Sequence, residues 1–238
     1  MAPVVDALRA HAPLIETKVA FTGQHTTLVD QVLGAFDLAP DYDLALMRDD
    51  QTLYDVVHGA LDGLRDVVRE FEPDVILVQG DTATVYVASL VGFFERVPVG
   101  HVEAGLRSGD KSAPFPEEVF RRMTDVIADW HFAPTGRARE LLLAENTPPD
   151  GIHVTGNTVV DALTAVSGQE RSFTEPTLQR LVADPERQLV LLTAHRRESF
   201  GQGLADVFGA VRTLVDEHDA IDVIYPVHPN PNVSGPAR

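Results

Sequence analysis

Short, almost wholly apolar runs alternate along this chain with longer amphipathic stretches, an order that suits a sheet whose strands are covered on both faces. The runs Val19–Phe21, Val75–Val78, Val97–Val102, Trp130–Phe132, Ile152–Thr155, Leu189–Leu192 and Val223–Tyr225 are of strand length and mostly apolar, with β-branched and aromatic residues. Between them the spacing predicts helices near Leu28–Phe36, Ala83–Phe94, Glu117–Ala128, Thr135–Ala144, Val159–Val166 and Leu204–Val215. The clearest helix is predicted over Thr52–Phe71, where Leu53, Val57, Ala60, Leu64, Val68 and Phe71 recur on one face and Pro73 ends the run. Strand and helix in repeated alternation define an α/β, doubly wound, Rossmann-like fold.

Two such domains are expected. The stretch Ser167–Glu186 holds Gly168, Pro176, Pro185 and several charges, which places an N-terminal domain at 1–168, a linker at 169–186 and the start of a second domain at 187–238. The fifty or so residues beyond the linker fall short of a typical doubly wound domain of about 100–150 residues, so the second domain is expected to be truncated. A hydrophobic content of 44% supplies a core, and the longest apolar stretches are too short to cross a bilayer. The first residues lack the basic start and apolar centre of a signal peptide, and there is no cysteine, so the expected location is cytoplasmic. A net charge of −17 argues against nucleic acid and against an anionic membrane as partners. A phosphorylated ligand would have to be gripped locally, and Arg107 with Lys111, Arg121 with Arg122, and Arg196 with Arg197 are the clusters available; the bland alternative for each is an ordinary ion pair.

In open parallel sheets ligands bind beyond the carboxyl ends of the strands. Six of the seven strand-like runs are followed by polar residues: Thr22-Gly-Gln-His25, Gln79-Gly-Asp-Thr82, Glu103-Ala-Gly-Leu-Arg107, Gly156-Asn-Thr158, Thr193-Ala-His-Arg-Arg-Glu198 and Pro226-Val-His-Pro-Asn230. Asp81 or Thr82 could simply cap the helix that follows. Glu103 is harder to dismiss, because it ends an apolar strand where an unpaired carboxylate is costly to bury. The pair Glu117 and Glu118 opens a helix, where acids suit the dipole without further function. His195 directly follows a strand, and His101 with Glu103 forms no recognisable metal pattern with other residues, so no metal is expected.

The chain has no Gly-x-x-x-x-Gly-Lys loop, no Gly-x-Gly-x-x-Gly, no Gly-x-Ser-x-Gly elbow and no cysteine nucleophile. Carboxylates, a histidine and arginines at converging strand ends instead suit acid–base work on a phosphorylated, hydroxyl-rich ligand such as a sugar nucleotide.

The motifs Gln79–Thr82, Gly100-His-Val-Glu-Ala-Gly-Leu-Arg107, Pro114-Phe-Pro-Glu-Glu118, Val154–Thr158, Thr193–Glu198 and Pro226–Asn230 resemble, in order and spacing, the non-hydrolysing UDP-N-acetylglucosamine 2-epimerases. The resemblance implies two Rossmann-like domains of the glycosyltransferase GT-B type and the interconversion of UDP-N-acetylglucosamine and UDP-N-acetylmannosamine, with no cofactor. It implies acid–base roles for Asp81, Glu103 and Glu117, makes His195 a further catalytic candidate that also contacts the UDP portion together with Arg121, and implies substrate binding at Asn157. Gln24, His25, Arg196 and His228 resemble the part of the cleft that holds a second UDP-N-acetylglucosamine. Expected partners are UDP-N-acetylglucosamine or UDP and, in a full-length form, a second copy of the chain. The family's opening strand with its Gly-Thr-Arg-Pro-Glu loop, and its later Ser-Gly-Gly and Gln-Glu-Glu segment, have no counterpart here, and Phe120, Ser199 and Thr26 replace residues frequent in the family. These departures imply an interior piece without activity of its own. Alternatives on the same fold are a UDP-sugar-binding fragment without catalysis, a hydrolysing epimerase and a glycosyltransferase.

Composition yields one prediction. Of the 19 basic residues only Lys18 and Lys111 are lysines, against 36 acids. Self-repulsion acts over about 30 Å at 0.01 M salt and about 3 Å at 1 M, so the thermal midpoint should rise steadily in sodium chloride from about 0.05 to 2 M. A flat or falling midpoint would mean that the acidic excess is dispersed or paired.

Overall fold

The computed structural model describes residues 1–23, 33–48, 50–169, 173–194, 199–228 and 230–237. The chain divides into two compact units, Met1–Gln169 and Glu170–Arg238.

The first unit is built on four parallel strands in the order β3 (Ile76–Gln79), β4 (Val99–Val102), β5 (Trp130–Ala133) and β6 (Ile152–Val154). The register runs Ile76 to Val99, Gly100 to Trp130 and His131 to Ile152, so the carboxyl ends share one edge. A second parallel pair joins β1 (Ala20–Phe21) to β2 (Tyr42–Asp43). That β2 partner is not anticipated by the sequence, because a Tyr-Asp pair offers no apolar run. Helix α1 covers Ala2–Arg9, α2 Leu53–Phe71, α3 Ala83–Glu95, α4 Glu117–Ile127, α5 Gly136–Ala144 and α6 Thr158–Ser167.

Local chemistry fixes the helix ends. Thr52 and Asp55 form a reciprocal capping box at the start of α2, and Glu72 closes it in the left-handed conformation, with Pro73 next. The apolar face of α2 then meets α3 and the sheet through Ala60, Leu64, Val87, Val91 and Val99. A smaller cluster of Ala104, Ala133, Ala138, Leu142 and Ile152 seats α5 against β5 and β6. No described helix is long and apolar enough to cross a membrane.

In the second unit β7 (Gln188–Leu191) pairs in parallel with β8 (Ile221–Ile224), and α8 (Gln202–Glu217) connects them. Leu204 of α8 and Val233 of α9 (Pro231–Ser234) are fully buried. A helix, α7 (Pro176–Ala183), occupies part of the segment read from sequence as linker. Its start is well made: the Glu175 carboxylate accepts from Leu178 N at 2.8 Å and Pro176 fills the first turn, so the proline that suggests a break begins a helix instead.

The turn after β4 depends on Gly105, at φ +81, where an added Cβ would stand 2.4 Å from the Ala138 carbonyl oxygen on α5. Gly109 has a similar φ, +83, with open space around it. Alanine at either position carries the left-handed cost of about 1–2 kcal/mol, and overpacking adds about 1–3 kcal/mol at Gly105 alone. Chemical denaturation should therefore show both variants destabilised and Gly105→Ala distinctly more so. Equal losses would mean that α5 yields to the methyl group.

Candidate active site

Three loops leave the shared strand edge of the first unit, and charged side chains tie them together. After β3, Gly80 turns at φ +87 and Asp81 follows. Thr82 occupies the N-cap position of α3, yet its side chain makes no cap hydrogen bond there. Asp81 is instead ion-paired with Arg121 of α4 and about one third exposed. Capping therefore does not account for this aspartate.

Strand β4 is buried along its whole length, and Glu103 directly follows it at φ +69. The left-handed conformation costs a side-chain-bearing residue about 1–2 kcal/mol. Three bonds hold it: Glu103 N and Ala104 N both donate to Phe132 O, at 3.1 and 3.2 Å, and Gly105 N donates to Asp125 Oδ2 at 3.1 Å. A Cβ added to Gly80 would lie 3.8 Å from Glu103 Oε2, so this carboxylate reaches the residue that precedes Asp81.

The first turn of α4 brings Glu117 and Glu118. Glu117 is half-buried, whereas Glu118 is buried with 1% exposure. Glu118 accepts from Ser108 N at 2.9 Å and Gly109 N at 3.4 Å, and Arg121 Nη1 stands 3.4 Å from it. One guanidinium thus links the loop after β3 to the carboxylate that anchors the loop after β4.

Beneath these groups lies a network that sequence reasoning missed. His101, fully buried, has Nε2 2.8 Å from Gly80 O and Nδ1 2.5 Å from Asp125 Oδ1. Arg107 Nη2 lies 2.8 Å from Asp125 Oδ2 and 2.7 Å from Glu145 Oε2. Burial pushes Asp125 toward the neutral form, but the hydrogen bonds and charges of His101 and Arg107 outweigh it and hold the carboxyl below its ordinary value. Glu145 is lowered mainly by its hydrogen bond from Arg107. Burial works against the charge of Arg107, yet its carboxylate partners raise its pKa. Arg107 and Arg122, which is 3.4 Å from Glu145, are thus engaged in ion pairs, the bland reading of those two clusters. The one signal in the sequence was helical phase: Glu118, Arg121 and Asp125 recur at spacings of three and four on α4.

Asn157 sits at the end of β6, where Oδ1 accepts from Val159 N at 3.0 Å and caps α6. Gln79 Nε2 donates to Thr158 Oγ1 at 3.0 Å and joins that loop to the end of β3. In the second unit the Tyr225 hydroxyl donates to Ala194 O at 2.5 Å, and His228 Nδ1 accepts from Asn230 N at 3.1 Å. Gln24, His25, His195 and Arg196 lie outside the described residues. Among the described residues no group of three or more His, Cys, Asp and Glu side chains is placed to hold a metal. A cleft of about 670 Å³ along α2, lined by Arg48, Tyr54, His58 and Asp62 among others, includes none of the strand-end carboxylates. The convergence of charge, rather than volume, marks the site.

Parallel α/β units of this kind, with their likeness to solved UDP-GlcNAc 2-epimerase structures, place the protein in the GT-B fold class. The sequence profile of the UDP-N-acetylglucosamine 2-epimerase family matches residues 6–238, and the chain belongs to that family. The UDP-N-acetylglucosamine 2-epimerase of Yersinia pestis is 48% identical over 100% of the chain, which spans 64% of that relative. The crystal structure of the Neisseria meningitidis UDP-GlcNAc 2-epimerase bound to UDP-GlcNAc superposes with a TM-score of 0.88 at 39% identity, covering 99% of this chain and 64% of that one. The Methanocaldococcus jannaschii UDP-GlcNAc 2-epimerase, in complex with UDP-GlcNAc and UDP, gives 0.76 at 30% identity, covering 96% of this chain and 62% of that one. The chain therefore spans less than two thirds of the length of these relatives.

The lowered carboxylates carry a pH prediction. A group whose folded pKa lies below its unfolded value adds stability that is present above the unfolded value, about 4, and is lost as pH falls through the folded one. The thermal midpoint should fall as pH drops from about 5 toward 2. Asp125→Asn should melt lower at neutral pH and show a flatter acid slope; an unchanged slope would remove Asp125 as its source.

Proposed function

We propose that the protein, in a form with the full length of its relatives, interconverts UDP-N-acetylglucosamine and UDP-N-acetylmannosamine without net hydrolysis. The observation that carries this reading is the placement of Asp81 and Glu103 after adjacent strands, with the Glu103 carboxylate against Gly80 and Arg121 against Asp81. The ligands in the Neisseria and Methanocaldococcus structures support the substrate class.

The C2 hydrogen of the sugar is not next to a carbonyl, so a carboxylate gains little by attacking the ground state. As the anomeric C1–O bond breaks, UDP departs with the electron pair and positive charge builds on C1 and the ring oxygen, which acidifies C2–H. A base then takes that proton and leaves 2-acetamidoglucal. Delivery of a proton to the opposite face of C2 and return of the UDP oxygen to C1 give the epimer. Acid–base groups must therefore serve both faces, and we assign Asp81, Glu103 and Glu117 to that work. Arg121, His195 and Asn157 are assigned to holding the substrate and the departing UDP, and His195 counts with the three acids among the catalytic groups. Gln24, His25, Arg196 and His228 are assigned to a second nucleotide sugar.

Cytoplasmic residence and a homodimer complete the reading. Support for the dimer comes from Phe93 and Phe94 of α3, which are in ring contact and 65% and 60% exposed. Isolated apolar residues of this size are common on surfaces, whereas clusters mark association.

The test is turnover of UDP-N-acetylglucosamine in heavy water by the full-length form, followed by NMR. One solvent deuteron should appear at C2 of the epimer, because the carbon is protonated again from groups that exchange with solvent. Retention of the original hydrogen would defeat the acid–base assignment, and free N-acetylmannosamine as product would indicate a hydrolysing enzyme. Asp81→Asn, Glu103→Gln and Glu117→Gln should each lower kcat by roughly 10²-fold or more. Binding of UDP with no product from the unaltered protein would leave a nucleotide-sugar-binding module.

A further inference from the structure

We propose that His101 is a positioning residue that sets the separation of Asp81 and Glu103; the proposal rests on the acid–base reading of those two groups. His101 lies on β4 two residues before Glu103, and its ring spans to the loop that carries Asp81. The Gly80 carbonyl that it meets at 2.8 Å belongs to the peptide leading directly into Asp81, so this bond fixes the plane from which Asp81 departs.

The other ring nitrogen explains why the arrangement is stiff. A carbonyl oxygen has no hydrogen to give, so Nε2 donates to Gly80 O. Asp125, held ionised by His101 and Arg107, likewise only accepts, so Nδ1 donates to it at 2.5 Å. The second oxygen of Asp125 accepts from Gly105 N at 3.1 Å and lies 2.8 Å from Arg107. Glu103 is thereby bracketed. The residue two before it and the residue two after it are both tied to one carboxylate, and the same histidine holds the neighbouring loop. With His101 0% exposed and the Asp125 side chain 3% exposed, water does not compete for these bonds.

Two replacements of the ring separate positioning from mere filling of the core. The amide nitrogen of glutamine falls near the place of Nε2 and that of asparagine near Nδ1. His101→Gln therefore keeps a donor toward Gly80 O, and His101→Asn keeps one toward Asp125. Misplacement by about 1 Å can cost 10²-fold in rate. In the full-length form, His101→Asn should lose roughly 10- to 100-fold in kcat with KM little changed, and His101→Gln should retain most of its kcat, even where both lower the melting midpoint alike. Equal kcat losses for the two variants, or none in either, would overturn the proposal.

If neither variant folds, the unaltered protein decides the matter through the ¹⁵N spectrum of the His101 ring. Both ring nitrogens should carry slowly exchanging protons, and a bare nitrogen would overturn the proposal. Should Asp81→Asn and Glu103→Gln themselves turn over normally, the acid–base reading fails instead; the His101 ring spectrum, read in the unaltered protein, registers the bridge separately from that outcome.

Discussion

An ionised carboxylate with almost no access to water organises the first unit's strand-end loops. Burying such a charge costs several kcal/mol unless it is fully bonded, and Asp125 is bonded by the His101 ring, a backbone N–H and a guanidinium. Each donor comes from a different part of the site: the body of β4, the turn after it and the segment that leads to Glu118. Removing any one leaves the charge partly unsatisfied, so the loops and α4 share a single energetic condition.

That condition also bears on the strongly acidic composition. A net charge of −17 invites the view that every arginine awaits a phosphate. Many of the described guanidiniums instead meet carboxylates of the chain, among them Arg65 with Asp62 and Asp66, Arg187 with Asp222, and Arg212 with Asp216. These are exposed pairs and add little to stability. Arg107 and Arg121 differ by burial, with side chains 5% and 15% exposed, and both stand at the strand edge. Location and desolvation, not the count of arginines, distinguish the candidate site.

The parallel sheet was legible because a doubly covered strand must be apolar throughout, a property visible residue by residue. Boundaries moved where burial ended: Val75, 41% exposed, falls outside β3, and Gln79 enters it. Helix α7 is hidden in a segment whose prolines and charges read as linker, whereas Pro176 in its first turn and Glu175 as its cap are helix starters. Glu103 and Asp81 were legible as strand-end polar residues. The pairing of His101 with Asp125 was not, since it joins positions 24 apart and depends on how α4 lies over β4. The same blindness to helical phase left Glu118 beside Glu117 without distinction, although α4 turns the one inward and leaves the other half-buried.

The backbone at Glu103 says something that neither burial nor charge does. Other non-glycine residues with positive φ include Glu72 and Arg96, which close α2 and α3, where a left-handed residue satisfies the last carbonyls and a charged side chain turns to water. Glu103 instead follows a strand buried throughout and is itself only partly exposed. Glycine there would relieve about 1–2 kcal/mol of left-handed strain, and Gly80 and Gly105, the positive-φ neighbours on either side of it in space and sequence, are glycines. A carboxylate at a position whose backbone favours glycine sets side-chain identity against local stability. The surrounding bonds from Phe132 and Asp125 then serve to hold a residue in a conformation it would not adopt alone, which is the usual mark of a group retained for its chemistry.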